Sequence, residues 1–276
     1  MFVAITRSVR LALAAAHVLD AVVRVMVLFP WFTAATRRRH IAAWSQKALR
    51  IFGIRTANSS PPCEGSGARL VVANHVSWLD VFAIWSTTDA TFVAKGEVGR
   101  WPIIGSLAQR LGVIFIDRSR RRDAMMTSRH MADLLAQGRS VCIFPEGTST
   151  NGRELQPFHP ALFQSAIEAG VAVQPIAIRY FRANGALATE VAFTGDMSLV
   201  QSMWRLAGTD QIIIDVGHLP FFDTTGLDRR IAVERAHALI GQRLREPAGE
   251  RPMQPIESAA TARKVIPVTS SELAVS

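Results

Sequence analysis

The sequence predicts an α/β protein in which a mostly parallel sheet is flanked by helices and is preceded by an amphipathic helical segment that binds a membrane. Two observations predict this fold. Short apolar runs alternate with helical patterns through the middle of the chain, which is typical of parallel strands covered on both faces. Residues 2–32 are apolar but carry polar side chains at helical spacing.

These patterns divide the chain into three parts. Residues 1–56 are predicted to be amphipathic helices for membrane association, and residues 57–246 form the α/β domain. Residues 247–276 are rich in Pro, Ser, Thr and Ala, so we expect a disordered tail.

The N-terminal helix carries its polar side chains on one arc about 140° wide at 100° per residue. They are Arg7, Arg10, His17, Asp20 and Arg24. This pattern favours a helix that lies in a membrane interface with its basic face toward the lipid headgroups. Two alternatives are a core helix of the domain, and a signal peptide or membrane span. The charges in the second half and the missing clear cleavage site weigh against the signal peptide.

A basic surplus points to an anionic partner. The net charge is +9, and Arg37, Arg38, Arg39 and His40 form a cluster after Pro30, which ends the first helix. A second amphipathic segment follows through Phe52. Such a cluster beside amphipathic helices suits an anionic lipid surface. The sequence lacks nucleic-acid-binding signatures, so we expect membrane lipids and no nucleic acid as partners.

The α/β domain follows a loop predicted from Gly53 to Gly67. The predicted strands are Leu70–Ala73, Thr91–Ala94, Val113–Ile116, Val141–Phe144, Val171–Ile178 and Gln211–Val216. The predicted helices are Leu79–Trp85, Ile103–Leu111, Asp123–Ala136, Leu162–Ala169 and a closing helix Leu227–Arg245. Gly138 and Gly170 stand where helix C-caps are expected.

The stretch NHVSWLD, from Asn74 to Asp80, follows the first predicted strand. His75 is a candidate general base, because an imidazole has an ordinary pKa of roughly 6.5. Residues five apart do not face each other on one helix, so His75 should precede the helix and Asp80 should lie in its first turn, where it can orient the imidazole. A structural alternative is a capping box in which Ser77 is the N-cap.

Two further strands end in polar clusters. The run from Val113 ends in Asp117 and Arg118, and an arginine at the carboxyl end of a strand is suited to hold a phosphate. The run from Val141 ends in Pro145 and then Glu146, Gly147 and Thr148. A glycine there permits a tight turn and a close ligand approach, whereas Glu146 suits a basic side chain or a substrate hydroxyl. An ordinary charged turn is the alternative for each cluster.

The positions of the cysteines and the absence of known motifs argue against a disulfide-bonded protein, a metalloprotein and a serine hydrolase. Cys63 lies in a predicted loop and Cys142 in an apolar run, so we expect free thiols and no structural disulfide. The sequence lacks HExxH, CxxC and EF-hand motifs, so we expect no metal. The GxSxG motif of serine hydrolases is also missing from the sequence.

The order NHVSWLD, GVIFIDR, FPEGT and VQPIAIRY resembles the glycerolipid acyltransferase family, which includes the 1-acylglycerol-3-phosphate acyltransferases. The resemblance covers about residues 70–180. The family's blocks fall on Asn74, His75 and Asp80; on Gly112, Phe115, Ile116 and Arg118; on Phe144 to Thr148; and on Val173 to Ile178 with Pro175. Lys95 and Glu97 also match the stretch between the first two blocks.

The resemblance implies an acyltransferase that moves a fatty acyl chain from acyl-CoA or an acyl carrier protein to the free hydroxyl of a lyso-lipid. It implies His75 and Asp80 as the catalytic pair, and Arg118 with Glu146, Gly147 and Thr148 as the acceptor site. No cofactor is expected beyond the thioester substrate. The expected location is the cytoplasmic face of the inner membrane.

The favoured acceptor is 1-acylglycerol-3-phosphate, which would give phosphatidate. Ser149 departs from the family pattern, because phosphatidate-forming members usually have arginine directly after FPEGT. The alternatives are therefore lyso-ornithine lipid or a lysophospholipid with a larger headgroup. Alternatives of another class are a thioesterase or lipase-like hydrolase, and a membrane-binding protein without catalysis.

Overall fold

The computed structural model describes residues 2–60, 67–116, 121–247 and 254–255. The helices are α1 Phe2–Val23, α2 Ala34–Ile51, α3 Leu79–Trp85, α4 Gly96–Gly99, α5 Ile104–Arg110, α6 Arg121–Ala136, α7 Gln164–Ala169, α8 Leu199–Ala207 and α9 Arg229–Arg245. The strands are β1 Ile54–Ser60, β2 Arg69–Ala73, β3 Thr91–Lys95, β4 Ile114–Ile116, β5 Val141–Ile143, β6 Ala172–Arg182, β7 Ile212–His218 and β8 Gln254–Pro255.

The strands form one mixed sheet in the order β4-β3-β5-β2-β6-β7-β1-β8. Strands β4, β3, β5, β2 and β6 run parallel to one another. β7 is antiparallel to β6, and β1 is parallel to β7. The predicted mostly parallel sheet flanked by helices is therefore confirmed.

Each face of the sheet carries its own apolar core. Along β2, Leu70 and Val72 pack in one core with residues of α6, α7 and α9, whereas Val71 and Ala73 pack in the other with residues of α3 and α8. Successive side chains of a strand point to opposite faces, and β2 is buried on both because helices cover both. This explains why its sequence is a continuous apolar run.

The predicted strands are all present, with β6 and β7 extending beyond their predicted ends. The predicted helices of this domain are present too, and half of their ends differ from the predicted ones by one or two residues. Gly170 caps α7 with φ 62°, a left-handed conformation that glycine adopts without steric cost.

The predicted loop from Gly53 to Gly67 is wrong in its first half, because β1 lies there. β1 pairs with β7, so that Ile54 lies opposite Ile212. The segment IRTANSS has neither an apolar run nor a clean alternation, and it becomes a strand by pairing with a partner far away in the chain. The helix α8 and the direction of β7 were also not predicted.

In the predicted tail, the structure describes Pro247 and the pair Gln254–Pro255, which lies antiparallel to β1 as β8. The rest of the tail lies outside the described residues, as do Cys63, Asp117 and Arg118. Cys142 is a buried free thiol in β5.

The apolar side of the N-terminal helix is exposed on the surface of the protein. The stretch Val3–Trp31 is long and apolar enough to cross a membrane by length and composition, and only 17% of its most apolar window is buried. The low burial argues against a core helix. After α1 the chain continues as one π-helical stretch and a 3₁₀ turn, which contains Pro30.

The predicted orientation of this helix is wrong, because its polar arc faces the protein and not the lipid headgroups. Arg7 lies 5.3 Å from the ring centroid of Trp204, and Arg10 donates to the carbonyl of Ala207 at the end of α8. The last carbonyls of a helix lack partners within the helix and attract cations, which explains why Arg10 points toward the end of α8.

Farther along α1, His17 stacks on Trp44 of α2 with 4.4 Å between the ring centroids. Arg24 contacts His40 of α2 at 3.1 Å. In contrast, Arg37, Arg38 and Arg39 at the start of α2 are exposed. Within the two N-terminal helices, the exposed arginines are therefore those of α2.

A buried histidine at the end of β7 predicts a pH-dependent stability. Burial, with a smaller effect of Arg69, lowers the pKa of His218 from 6.5 to about 4. The unfolded chain then binds more protons than the folded one, so this stability is present above pH 6.5 and is lost as pH falls toward about 4. We expect the free energy of unfolding to fall by about 2 kcal/mol more between pH 7 and pH 5 in the wild type than in His218→Gln.

Urea unfolding at both pH values measures this difference. Exposed His130 of α6 supplies the control, since His130→Gln should retain the wild-type pH dependence. The same pH dependence in His218→Gln and the wild type would contradict the assignment.

Candidate active site

The catalytic candidates meet at the carboxyl ends of neighbouring parallel strands. His75 follows β2, and Glu146 follows β5, which pairs with β2. Open α/β sheets bring side chains together at this edge. β6, on the other side of β2, supplies Tyr180 from its carboxyl-terminal half.

The structure brings His75 and Asp80 into direct contact. Nδ1 of His75 lies 2.8 Å from Oδ2 of Asp80. His75 stands in the turn before α3 and Asp80 in the first turn of that helix, as the five-residue spacing predicts. The side chain of Asp80 is completely buried, whereas that of His75 is 21% exposed. The pair therefore has one inner and one accessible member.

Backbone and side-chain donors surround the buried carboxylate. Oδ2 of Asp80 also accepts from the amides of Val76 at 2.7 Å and Ser77 at 2.9 Å. Oδ1 accepts from the hydroxyl of Tyr180 at 2.6 Å. A buried carboxylate needs such partners, because leaving a charge unpaired in the interior is costly.

The capping box with Ser77 as N-cap, which was the structural alternative for this stretch, is therefore formed only in part. Trp78, and not Ser77, is the residue before α3, and its side chain makes no capping bond. Asp80 reaches back to the amide of Ser77, which is one half of a capping box. The same carboxylate therefore both starts the helix and holds the imidazole.

The contact with Asp80 fixes the direction of the imidazole ring. With Nδ1 on the carboxylate, Nε2 is the ring nitrogen left for another partner. Phe144, the last residue before Pro145, stacks on the ring with 4.1 Å between the centroids. The backbone of His75 is held as well, since its carbonyl accepts from the amide of Thr150 at 2.8 Å.

Asn74 locks the end of β2 to β6. Its side-chain oxygen accepts from the amide of Ile178 at 2.7 Å, and its side-chain nitrogen donates to the carbonyl of Ile178 at 3.0 Å. Asn74 thus continues the pairing of β2 with β6 beyond the last residue of the strand. The turn that carries His75 consequently begins from a fixed point.

Glu146 joins the loop after β5 to the turn that carries His75. It is 5% exposed, and its two oxygens accept from the amides of His75 at 2.7 Å and Gln156 at 2.9 Å. Burial raises the pKa of Glu146, and the two amide hydrogen bonds oppose that rise. Its role toward substrate stays a prediction, and the geometry adds a second role, which is to position His75.

We expect Glu146→Gln to lose stability and activity together. The amide group would turn an N–H toward one of the two backbone donors, which leaves a buried donor without its acceptor at a cost of about 1–3 kcal/mol. Urea unfolding and turnover measure both effects. Glu154→Gln, an exposed change in the following loop, is the control. Wild-type stability and turnover in Glu146→Gln would contradict the positioning role.

The other predicted acceptor residues lie close by in the chain. Gly147 has φ 75°, and its amide donates to the carbonyl of Phe144, so this amide is not free for an anion. Thr148 is exposed. The hydroxyl of Ser149 donates to the carbonyl of Phe193. Arg118 lies outside the described residues, so its place in the site stays a prediction.

Sequence reasoning missed Tyr180 and Phe144 as residues of the site. Both stand inside the recognised blocks, but an aromatic side chain in an apolar strand is usually part of the core. Asp80 lies 100 positions from Tyr180, so no local pattern connects them. For metals, the described ranges contain no group of three or more His, Cys, Asp or Glu side chains able to hold an ion.

Comparisons with known proteins define the class. The family model described as Acyltransferase matches residues 53–179. A 1-acyl-sn-glycerol-3-phosphate acyltransferase of Neisseria gonorrhoeae is 35% identical over 72% of this chain and 78% of its own length. A lyso-ornithine lipid O-acyltransferase of Pseudomonas aeruginosa is 34% identical over 84% of this chain and 92% of its own.

The fold has a counterpart among solved structures. The crystal structure of the 1-acyl-sn-glycerophosphate acyltransferase PlsC from Thermotoga maritima covers 87% of this chain and 98% of its own, with a TM-score of 0.59 and 19% identity. This likeness shows the fold, and the family model and the curated relatives show that the chain is an acyltransferase enzyme. The chain belongs to the glycerolipid acyltransferase family, as the resemblance of its four blocks predicted.

Proposed function

We propose that this enzyme moves a fatty acyl chain from an acyl thioester to the free hydroxyl of a lyso-lipid, with His75 as general base and Asp80 as its partner. The observation that carries the proposal is the 2.8 Å contact between Nδ1 of His75 and Oδ2 of Asp80. It leaves Nε2 of a partly exposed imidazole available to a substrate hydroxyl. A carboxylate in this position stabilises the imidazolium that forms during proton transfer.

The reaction balances without a protein nucleophile. Nε2 of His75 takes the proton of the acceptor hydroxyl as the oxygen attacks the thioester carbonyl. The C–O bond forms, the C–S bond breaks, and the imidazolium returns the proton to the departing thiolate. The products are the ester and a free thiol. Base catalysis of this kind contributes about 10²–10⁴-fold.

The donor is a thioester of coenzyme A or of acyl carrier protein. Both carry phosphate groups, which suits a chain with a net charge of +9. A thioester already activates the acyl group, which agrees with the missing GxSxG motif. Assays with each carrier decide between them.

As acceptor we propose 1-acylglycerol-3-phosphate, because relatives from two Neisseria species named for it are 34–35% identical over 72% of the chain. Lyso-ornithine lipid is the second candidate. It is favoured by the Pseudomonas relative, which matches over 92% of its own length, and by Ser149 in place of the usual arginine. The hydroxyl of Ser149 is already bound to the carbonyl of Phe193 and brings no charge to a phosphate.

Mass spectrometry of the products from a panel of lyso-lipids tests this assignment. The panel contains 1-acylglycerol-3-phosphate, lyso-ornithine lipid and lysophosphatidylethanolamine, each offered with both carriers. We expect the highest kcat/KM with 1-acylglycerol-3-phosphate. A higher value with lyso-ornithine lipid would move the acceptor to the second candidate. Free fatty acid as the only product would identify a hydrolase and reject the transferase mechanism.

We further propose that the enzyme lies on the cytoplasmic face of the inner membrane, with the apolar side of α1 in the bilayer. Its exposed side chains include Leu13, Leu19 and Val23. Because Arg7 contacts α8 and His17 contacts α2, a crossing α1 would bring those helices into the hydrocarbon or lose the contacts. Attachment along the interface keeps them, with the exposed arginines of α2 available to anionic headgroups.

Replacing the exposed leucines of α1 should release the protein from membranes. In Leu13→Lys with Leu19→Lys, two apolar side chains worth about 1.5–3 kcal/mol each are lost from the bilayer, so partitioning onto anionic vesicles should fall at least about tenfold. Vesicle sedimentation measures it. Ile231→Lys on α9, also an exposed apolar position, is the control and should bind like the wild type. Unchanged partitioning of the double variant would contradict the anchor.

A further inference from the structure

Tyr180 is the only tyrosine of the chain, and it contacts the catalytic pair. It lies in β6 with 3% of its surface exposed. Its hydroxyl is 2.6 Å from Oδ1 of Asp80. Packing in the core alone would not require the hydroxyl of this ring.

The two oxygens of Asp80 have separate partners. Oδ2 receives Nδ1 of His75 and the amides of Val76 and Ser77, whereas Oδ1 receives Tyr180. Among the residues that the structure describes, Tyr180 is the one donor to Oδ1. Removing its hydroxyl would therefore leave one buried carboxylate oxygen without a partner.

We propose that Tyr180 is a positioning residue for acyl transfer, which holds Oδ2 of Asp80 on His75 and, by drawing charge toward Oδ1, sets the proton affinity of the imidazole. The proposal rests on the proposed function, because it assumes that His75 acts as the base. A hydrogen bond to a carboxylate stabilises the charged form, so it weakens the pull of that carboxylate on a neighbouring proton. Without the hydroxyl of Tyr180, the full charge of the carboxylate would act on the imidazole.

The protonation states of the surroundings agree with this role. Burial and then the charge of Asp80 raise the pKa of Tyr180 well above 10, so the phenol remains a donor. Burial, followed by Asp80, also raises the pKa of the Cys142 thiol well above its usual value. Glu146 is the other titratable group here, and it binds the backbone amide of His75.

Kinetics of Tyr180→Phe test the proposal. We expect kcat to fall about tenfold, which is the size of one hydrogen bond to a charged group, and KM to stay near the wild-type value. The acid limb of kcat/KM should move to higher pH by roughly half a unit to one unit, because the unrelieved carboxylate stabilises the imidazolium. A residue that serves only packing would not move this limb.

Ser165→Ala is the matched control. It removes another fully buried hydroxyl, which donates to the carbonyl of Leu162 in the core on the other face of the sheet. Its pH profile should equal that of the wild type. A Tyr180→Phe profile that coincides with the wild-type profile would overturn the proposal, whatever the loss in stability.

A single tyrosine also permits a test without turnover. In protein labelled with 3-fluorotyrosine, the one fluorine resonance should shift in Asp80→Asn and should titrate with pH in the wild type. That titration should vanish in His75→Ala, because the imidazolium is its source. If the wild type fails to transfer acyl groups from any thioester, the proposed function is wrong. The fluorine resonance then still shows whether Tyr180 is coupled to His75. A resonance that does not titrate with pH would overturn this coupling.

Discussion

His75→Ala should lower acyl transfer by about 10²–10⁴-fold while the protein stays folded, because it removes the group that we assign to take the hydroxyl proton. The imidazole is 21% exposed, and Asp80 holds it through Nδ1. The imidazole also stacks on the ring of Phe144, and the smaller alanine fits the same space. Initial rates with an acyl thioester and a lyso-lipid in vesicles measure the effect.

The control for this variant is His130→Ala, which removes an exposed histidine of α6. It should retain wild-type rates, and both variants should show the wild-type circular dichroism spectrum and midpoint of unfolding. Rates within twofold of the wild type in His75→Ala would reject the general-base mechanism.

Asp80→Asn should also lower kcat strongly, by roughly 10²–10⁴-fold, because the amide cannot stabilise an imidazolium and presents a donor to Nδ1. The variant keeps the shape of the side chain. Its Oδ2 position accepts three donors in the wild type, so one orientation of the amide would break those bonds and the other would face Tyr180. We therefore expect a loss of stability of about 1–3 kcal/mol in addition.

Rates and urea unfolding measure both effects. Asp89→Asn removes a carboxylate that is half exposed and pairs with Arg38, so it should change neither rate nor stability noticeably. Wild-type kcat in Asp80→Asn would show that the imidazole works without its partner, which would contradict the pair as proposed.

The central strands could be predicted from the sequence because their signal is local. A strand buried on both faces, such as Leu70–Ala73 in β2, has to be a continuous apolar run. Its polar exit, with His75 and Asp80, could be located for the same reason. The five-residue spacing allowed one arrangement, with the histidine in a turn and the acid in the first helical turn.

The missed elements depend on partners distant in the chain. β1 has no apolar pattern and forms against β7, more than 150 residues later. The hydrogen bond from Tyr180 to Asp80 spans 100 positions and leaves no trace in local spacing. The sequence suggested that Glu146 binds a ligand. Its hydrogen bonds to the backbone amides of His75 and Gln156 could not be predicted, because they depend on how distant parts of the chain meet.

The orientation of α1 was predicted wrongly because the periodicity of a helix gives two faces but not their surroundings. Polar side chains on one face of a helix can contact lipid headgroups or the rest of the protein equally well. In the structure, the carbonyl of Ala207 at the end of α8 and the rings of Trp44 and Trp204 bind the polar arc to the protein. The apolar side of the helix is exposed as a result, and it is this side that we assign to the bilayer.

The most direct test of the proposed mechanism compares thiol release with lipid formation in one reaction. Purified enzyme receives an acyl thioester and 1-acylglycerol-3-phosphate in anionic vesicles, and mass spectrometry counts the two-chain lipid formed for each free thiol. We predict one two-chain lipid per thiol with the wild type, and neither product above background with His75→Ala. Thiol released together with free fatty acid, or equal lipid formation by His75→Ala, would contradict the transfer of the acyl chain by this imidazole.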